Sequence, residues 1–238
     1  SSRFNLSFHS VVNLLERYDD DEIQRILSRS FLAWQRSARQ EAISDQIEFQ
    51  QTRLRTQSDQ DGKHSSKVER QLAKLQRRLS RERKWLYNQF LTKVRFLEEI
   101  GYLRQRELCA GATIVRHVQI EEIFVAELIL AGIFENLSAE NLFGVCCGLV
   151  SDLPPKVGVA LRVPQSIHGV LDDILRVYES ETIETATHLA GGEPRFDPRL
   201  MALGVQWAHG EPLADLLSHI RSQSDHAGDL VVAFRRAK

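Results

Sequence analysis

The chain has 238 residues, with 31 basic and 32 acidic side chains, a formal net charge of −1 and 42% hydrophobic residues. That length buries a sizeable core in one or two domains, and the balanced charge means that any nucleic-acid surface must come from local segregation of cations. Three cysteines, two of them adjacent, make no disulfide framework, and neither an amino-terminal signal pattern nor a membrane-length uncharged span is present, so a cytoplasmic setting without a membrane is expected.

Residues 4–35 read as two short helices. Phe4, Leu6, Phe8, Val12, Leu14 and Leu15 form the apolar side of the first, and Ile23, Ile26, Leu27, Phe31 and Trp34 that of the second. RYDDDE separates them: Asp19 or Asp20 can cap the second helix, and the acids of its first turn suit the positive end of its dipole.

Residues 36–98 are rich in Gln, Arg, Lys, Glu and Ser, and they lack proline. Val68, Leu72, Leu75, Leu79, Leu86 and Phe90 recur at three-four spacing with one polar gap at Glu82, and Ile43, Ile47, Gln50 and Leu54 give a weaker match before the loop SDQDGKHSS. An antiparallel helical hairpin is expected, since one partner helix suffices to bury so narrow a stripe. Its second arm carries Lys67, Arg70, Lys74, Arg77, Arg78, Arg81, Arg83 and Lys84 against Glu69 and Glu82. Two readings stand: a solvated, solubilising face, or sequence-independent phosphate contact, for which Lys74, Arg77, Arg78, Arg81 and Lys84 are the candidates.

FLTKVRFLEEIGYL continues the helix, and ELCAGATIVRHV, broken by AGA, is expected to be a two-stranded hairpin. With the two early helices this makes a winged helix interrupted by the long hairpin.

The apolar stretch AELILAGIFENLSAENLFGVCCGLV is interrupted by Glu127, Glu135 and Glu140, which excludes a membrane span. It reads as a buried helical hairpin, with Ile123, Phe124, Leu128, Leu130 and Ile133 in the first helix, Asn136 ending it and Ser138 capping the next. Cys146 and Cys147 are then small core residues, because no CxxC and no matching His cluster accompanies them. LPPKVGVALRVPQ is a linker, residues 165–190 form one long helix ended by GGEP, and FDPRLMALGVQWAHG is an amphipathic helix closed by Gly210. Trp207, with Phe196, Leu200 and Leu203, has the spacing of a helix core face. PLADLLSHI is a short helix, and GDLVVAFRRAK begins a last one with Arg235, Arg236 and Lys238 at its tip, as in a piece of a longer protein.

No GxxxxGK[ST] loop, HExxH or GxSxG occurs, and the adjacent acid pairs Glu98–Glu99, Glu121–Glu122 and Asp172–Asp173 point to different sides of a helix. No catalytic residue, metal site or cofactor is therefore assigned within the chain.

Several stretches in the same order resemble one family. FNLSFHSVVNLL, LSRSFLAWQ, FLTKVRFLEEIGYL, the apolar stretch at 126–150, RFDPRLMALGVQWAHGEPLADLL and GDLVVAFRRAK resemble the region after the second motor domain of superkiller and exosome-associated DExH-box RNA helicases, which ends in the DSHCT domain. The resemblance implies a mainly α fold: a first winged-helix part at 1–35, an inserted antiparallel coiled-coil stalk at 36–90, the rest of the winged helix with its wing at 91–120, and a DSHCT-like helical bundle at 121–238. The implied function is that of the carboxy-terminal accessory region of an ATP-dependent 3′ to 5′ RNA helicase, with ATP and Mg held by the motor domains of the same chain. The implied partners are single-stranded RNA, those motor domains and RNA-decay or ribonucleoprotein factors. Onto this sequence the resemblance carries Gly228, Asp229, Arg235 and Arg236 as RNA-binding residues on the last helix, and Glu179 or Glu181 near a second approach to RNA.

Two departures are visible. The family's stalk often bears a β-barrel, for which SDQDGKHSS leaves no room, and the family's arginine after Gly-Asp-x-Val is Val232 here, so the grip shifts to Arg235 and Arg236. The alternative reading is a stand-alone winged-helix and coiled-hairpin module that binds nucleic acid or protein without a motor.

Overall fold

The computed structural model describes residues 6–30, 37–57, 62–221 and 226–238. Phe4, Phe31, Trp34 and residues 58–61 lie outside the described residues, as do the side chains of Leu54, Lys67 and Arg83. The fold is mainly helical, and it divides into two compact units, residues 1–99 with 103–107 and residues 100–102 with 108–238.

In the first unit, α1 (Phe8–Arg17) is capped by Ser7, whose hydroxyl accepts from the Ser10 N–H at 3.0 Å. It buries Phe8, Val11, Val12 and Leu15. α2 (Asp20–Ser28) begins with a reciprocal capping box: the Glu22 N–H donates to Asp19 at 2.8 Å and the Asp19 N–H to Glu22 at 3.2 Å. α3 (Ser37–Gln57) and α4 (Gly62–Glu99) pack against each other, and α4 also receives α1 and α2. α4 starts at Gly62, so the nine-residue loop expected from the sequence is shorter. Val68, Leu86 and Phe90 of the stripe are buried and Leu72, Leu75 and Leu79 half-buried, with Ile43 buried on α3. Glu82, the polar gap in the stripe, is met by Arg39 of α3 at 3.8 Å. Towards the end of α4 the Phe96 ring lies 5.5 Å from that of Phe8, and the buried Lys93 ammonium sits 4.1 Å above the Phe8 ring.

A short hairpin follows, β1 (Leu103–Arg104) and β2 (Glu107–Leu108). Its two turn residues, Gln105 and Arg106, both have positive φ, 49° and 71°, the backbone that a tight two-residue turn requires. The hairpin thus starts earlier than ELCAGATIVRHV and takes only its first two residues. AGATIV is a helix, α5 (Ala110–Val115), which buries Gly111, Ala112 and Val115.

In the second unit α6 (Glu122–Leu130) ends sooner than Asn136. Gly132 takes φ 71°, its N–H donates to the Ile129 carbonyl at 3.0 Å, and the Ile133 N–H donates to Leu128 at 3.1 Å, which is the two-bond glycine stop of a helix. Ser138 caps α7 (Ala139–Val150) as expected. The main partner of α7 is α10 (Pro198–Ala208) rather than α6, so the expected hairpin is not the principal packing unit. Gly144 and Gly204 allow that approach: a Cβ on Gly144 would lie 2.3 Å from Val205 Cγ2 and 2.9 Å from the Met201 carbonyl, and one on Gly204 would lie 2.7 Å from Cys147 Sγ.

The linker contributes β3 (Gly158–Val159), which pairs antiparallel with β4 (Ile220–Arg221). Residues 165–190 are two helices, α8 (His168–Tyr178) and α9 (Glu181–Ala190), because the Ser180 hydroxyl accepts from the Ile183 N–H and starts a new helix. α8 and α9 pack on α6. α11 (Leu213–Ser218) precedes β4, and α12 (Ala227–Ala237) packs on α7 and α10. Cys147, Leu153, Val157, Leu200, Leu203, Leu216, Leu230, Ala233 and Phe234 form one core around them. No helix among the described residues is long and apolar enough to cross a membrane.

Candidate nucleic-acid interface

α12 is amphipathic by its spacing. Leu230, Ala233 and Phe234 are buried, while Gly228, Asp229, Val231, Val232, Arg235 and Arg236 are exposed on the other side. The Phe234 ring anchors the helix, stacked on Trp207 with centroids 5.1 Å apart and 18° between planes, and 6.1 Å from Phe143. Trp207 is 39% exposed. It therefore lies at the edge of the core beside α12, not within the core face that its spacing suggested.

At the start of the helix, buried His226 and exposed Asp229 are hydrogen-bonded, Nδ1 to Oδ2, at 2.8 Å. Asp229 thereby ties the helix start to the core and also meets the positive end of its dipole. A Cβ on Gly228 would meet nothing within 4 Å, so the surface before Val232 is open. Arg235 and Arg236 lie in the last turn with neither an ion pair nor a hydrogen bond among the described residues. The outward face is thus two valines followed by two guanidinium groups without a partner among the described residues, each with the forked donor geometry that matches a phosphate or carboxylate.

Four of the proposed contacts, Gly228, Asp229, Arg235 and Arg236, share this one helix. Glu179 and Glu181 do not: they flank the α8–α9 junction, exposed, on helices whose main partner is α6. The cations of α4 belong to the other unit.

The platform beneath α12 is fixed by a polar knot that the sequence reading missed. Asp197 caps α10, accepts from the Leu153 N–H at 2.9 Å, and pairs with Arg199 at 2.7 Å. Arg199 in turn donates to the carbonyls of Leu153, Pro154 and Val157 at 2.8, 3.2 and 2.6 Å. Burial alone would push the Asp197 carboxyl up, but the Arg199 and backbone donors outweigh it and hold the carboxyl below its ordinary range. The signal available in sequence was the Asp-Pro-x-x start of α10, an N-cap followed by Pro at the first helical position.

Cys146 and Cys147 form no reactive centre. Burial raises the Cys146 thiol, and burial, with the neighbouring Cys146, pushes Cys147 up to about 12, so neither is a thiolate near neutral pH. Cys146 faces an apolar cavity of about 540 Å³ together with Ile120, Val125, Ile129, Leu142 and Leu149. Among the described residues no group of three or more His, Cys, Asp or Glu could hold a metal ion.

The bundle is thus a helical module whose exposed features point to contact with other molecules. Residues 109–238 match the family described as the DSHCT (NUC185) domain, which is more than half of the chain. The chain belongs to the DSHCT-domain family, a domain typical of the carboxy-terminal region of superkiller-type DExH-box helicases. No curated protein matches the chain.

Proposed function

We propose that this chain is the carboxy-terminal accessory region of an ATP-dependent 3′ to 5′ RNA helicase. In this reading α12 touches single-stranded RNA, and the bundle braces the motor core during unwinding, processing or decay of RNA. ATP and Mg belong to the motor domains of the same protein, which supply the hydrolysis. α1, α2, the end of α4 and the β1–β2 hairpin act as a winged helix, and α3 with the outer part of α4 as a stalk inserted in it. Glu179 and Glu181 form a second, acidic border of the strand's path.

Membership of the DSHCT family supports the helicase setting. The observation that carries the RNA contact is α12 itself: a helix anchored through Phe234 that turns Arg235 and Arg236 outward with no protein partner among the described residues. Gripping a strand by its backbone needs this and no base readout.

The test is binding of a fluorescent single-stranded RNA to the chain across a salt series. Arg235→Ala with Arg236→Ala is expected to weaken binding about tenfold at low salt and to flatten the log–log salt slope by roughly 1.4, since a single strand contributes about 0.7 per phosphate contact. Unchanged low-salt affinity in the double variant would remove Arg235 and Arg236 from the interface.

A further inference from the structure

The outer half of α4 carries a charge pattern that its packing does not use. Arg70, Lys74, Arg77, Arg78, Arg81 and Lys84 are all exposed, and none of them makes an ion pair or hydrogen bond among the described residues. At 3.6 residues per turn the six fall within an arc of roughly 120°, on the side of the helix away from Val68, Leu75, Leu79 and Leu86. The row runs along the helix for roughly 21 Å.

The acids of the hairpin are elsewhere. Glu82 turns toward α3 and meets Arg39, Glu69 lies off the arc, and the exposed Glu41, Asp45 and Glu48 are on α3, on the face opposite its buried Ile43. Like charges at i,i+4, such as Arg70–Lys74, Lys74–Arg78 and Arg77–Arg81, each destabilise a helix by about 0.2–0.5 kcal/mol. A solubilising face would interleave both signs. Salt screens part of this repulsion, and a polyanion laid along the row would relieve the rest.

We infer that this face of α4 grips a nucleic-acid duplex by its phosphates, without regard to sequence. A duplex presents a stiff and dense line of charge, on the order of a dozen phosphates over this length. A single strand is ordinarily held on a series of aromatic platforms, whereas this row has one neighbouring aromatic, the half-buried Trp85 at its end. The site stands independently of α12, and it places paired nucleic acid on one unit of the chain and the single strand on the other.

The experiment uses the 238-residue chain with a 20-base-pair RNA duplex, a DNA duplex of the same length and a 20-nucleotide single-stranded RNA. The variant Lys74→Gln, Arg77→Gln, Arg78→Gln, Arg81→Gln is expected to keep the helical content and melting temperature of the wild type, because it removes only exposed, mutually repelling charges. It should lose duplex affinity at least tenfold, flatten the duplex salt slope by roughly 3 to 4, and leave single-strand binding within twofold. A charge-keeping variant, Lys74→Arg with Arg77→Lys, Arg78→Lys and Arg81→Lys, should bind the duplex as the wild type does. Comparable loss on RNA and DNA duplexes supports readout of phosphates, and loss on the RNA duplex alone supports a face fitted to the A-form groove. Wild-type duplex affinity in the glutamine variant overturns the inference, as does an equal loss on the single strand, or competition by polyglutamate as effective as unlabelled duplex. Arg235→Ala with Arg236→Ala, run in the same assay, reports on α12 alone.

Discussion

Asp197 does three jobs with one carboxylate. It caps α10, fixes the turn at Leu153 and neutralises Arg199, whose remaining N–H groups hold three carbonyls of the 153–157 turn. Its pKa is lower in the folded chain than in the unfolded one, so its stabilisation is fully present above the ordinary carboxylate value, about 3.9, and is lost as pH falls through the folded value. Asp197→Ala leaves a partly buried guanidinium and the Leu153 N–H without their acceptor. Urea denaturation at pH 7 should show a loss of about 3 kcal/mol or more, and the difference from wild type should shrink below pH 4. A variant as stable as wild type at pH 7 would show that the knot is ornamental. At the same scale, the proposed RNA contact falls to Arg235 and Arg236, because the position expected to carry an arginine is Val232, 44% exposed and without a side-chain donor.

Among the elements, the closest packing is that of α7 against α10, and it depends on residues without side chains. A methyl on Gly144 meets the Met201 carbonyl at 2.9 Å, a backbone atom that no rotamer change relieves. Gly144→Ala should cost about 1–3 kcal/mol in the same denaturation assay, whereas Gly192→Ala, with nothing within 4 Å, should be near neutral. Equal stability of the two variants would mean that the helices separate at no cost. Element by element, the sequence was most legible where local signals are strong. Asp19 and Ser138 cap as read, Gly210 closes α10 with φ 92°, and the stripe from Val68 to Phe90 is buried or half-buried along α4. It was least legible where a local device overrides periodicity. Gly132 stops α6 inside an apolar run, Ser180 divides a helix whose hydrophobic spacing continues across it, and positive φ at Gln105 and Arg106 makes a turn without glycine. The β3–β4 pairing joins residues some sixty apart, and no periodicity signals such a partner. Of the candidate interface, α12's two faces were readable from spacing alone. The seating of Trp207 against Phe234, and the distance in fold between Glu179 and α12, depend on tertiary packing.

For the whole molecule, each of the two units carries a cationic surface of its own. One presents a row of unpaired cations on α4, the other an anchored helix ending in two arginines. The Cys146 and Cys147 thiols, raised by burial, fit a packing role. The helicase proposal is decided by RNA-stimulated ATP hydrolysis in the full-length protein. Turnover is expected to rise severalfold on adding single-stranded RNA, with Arg235→Ala and Arg236→Ala shifting half-maximal stimulation to higher RNA concentration. Hydrolysis that is absent, or indifferent to RNA in wild type and variant alike, would contradict it.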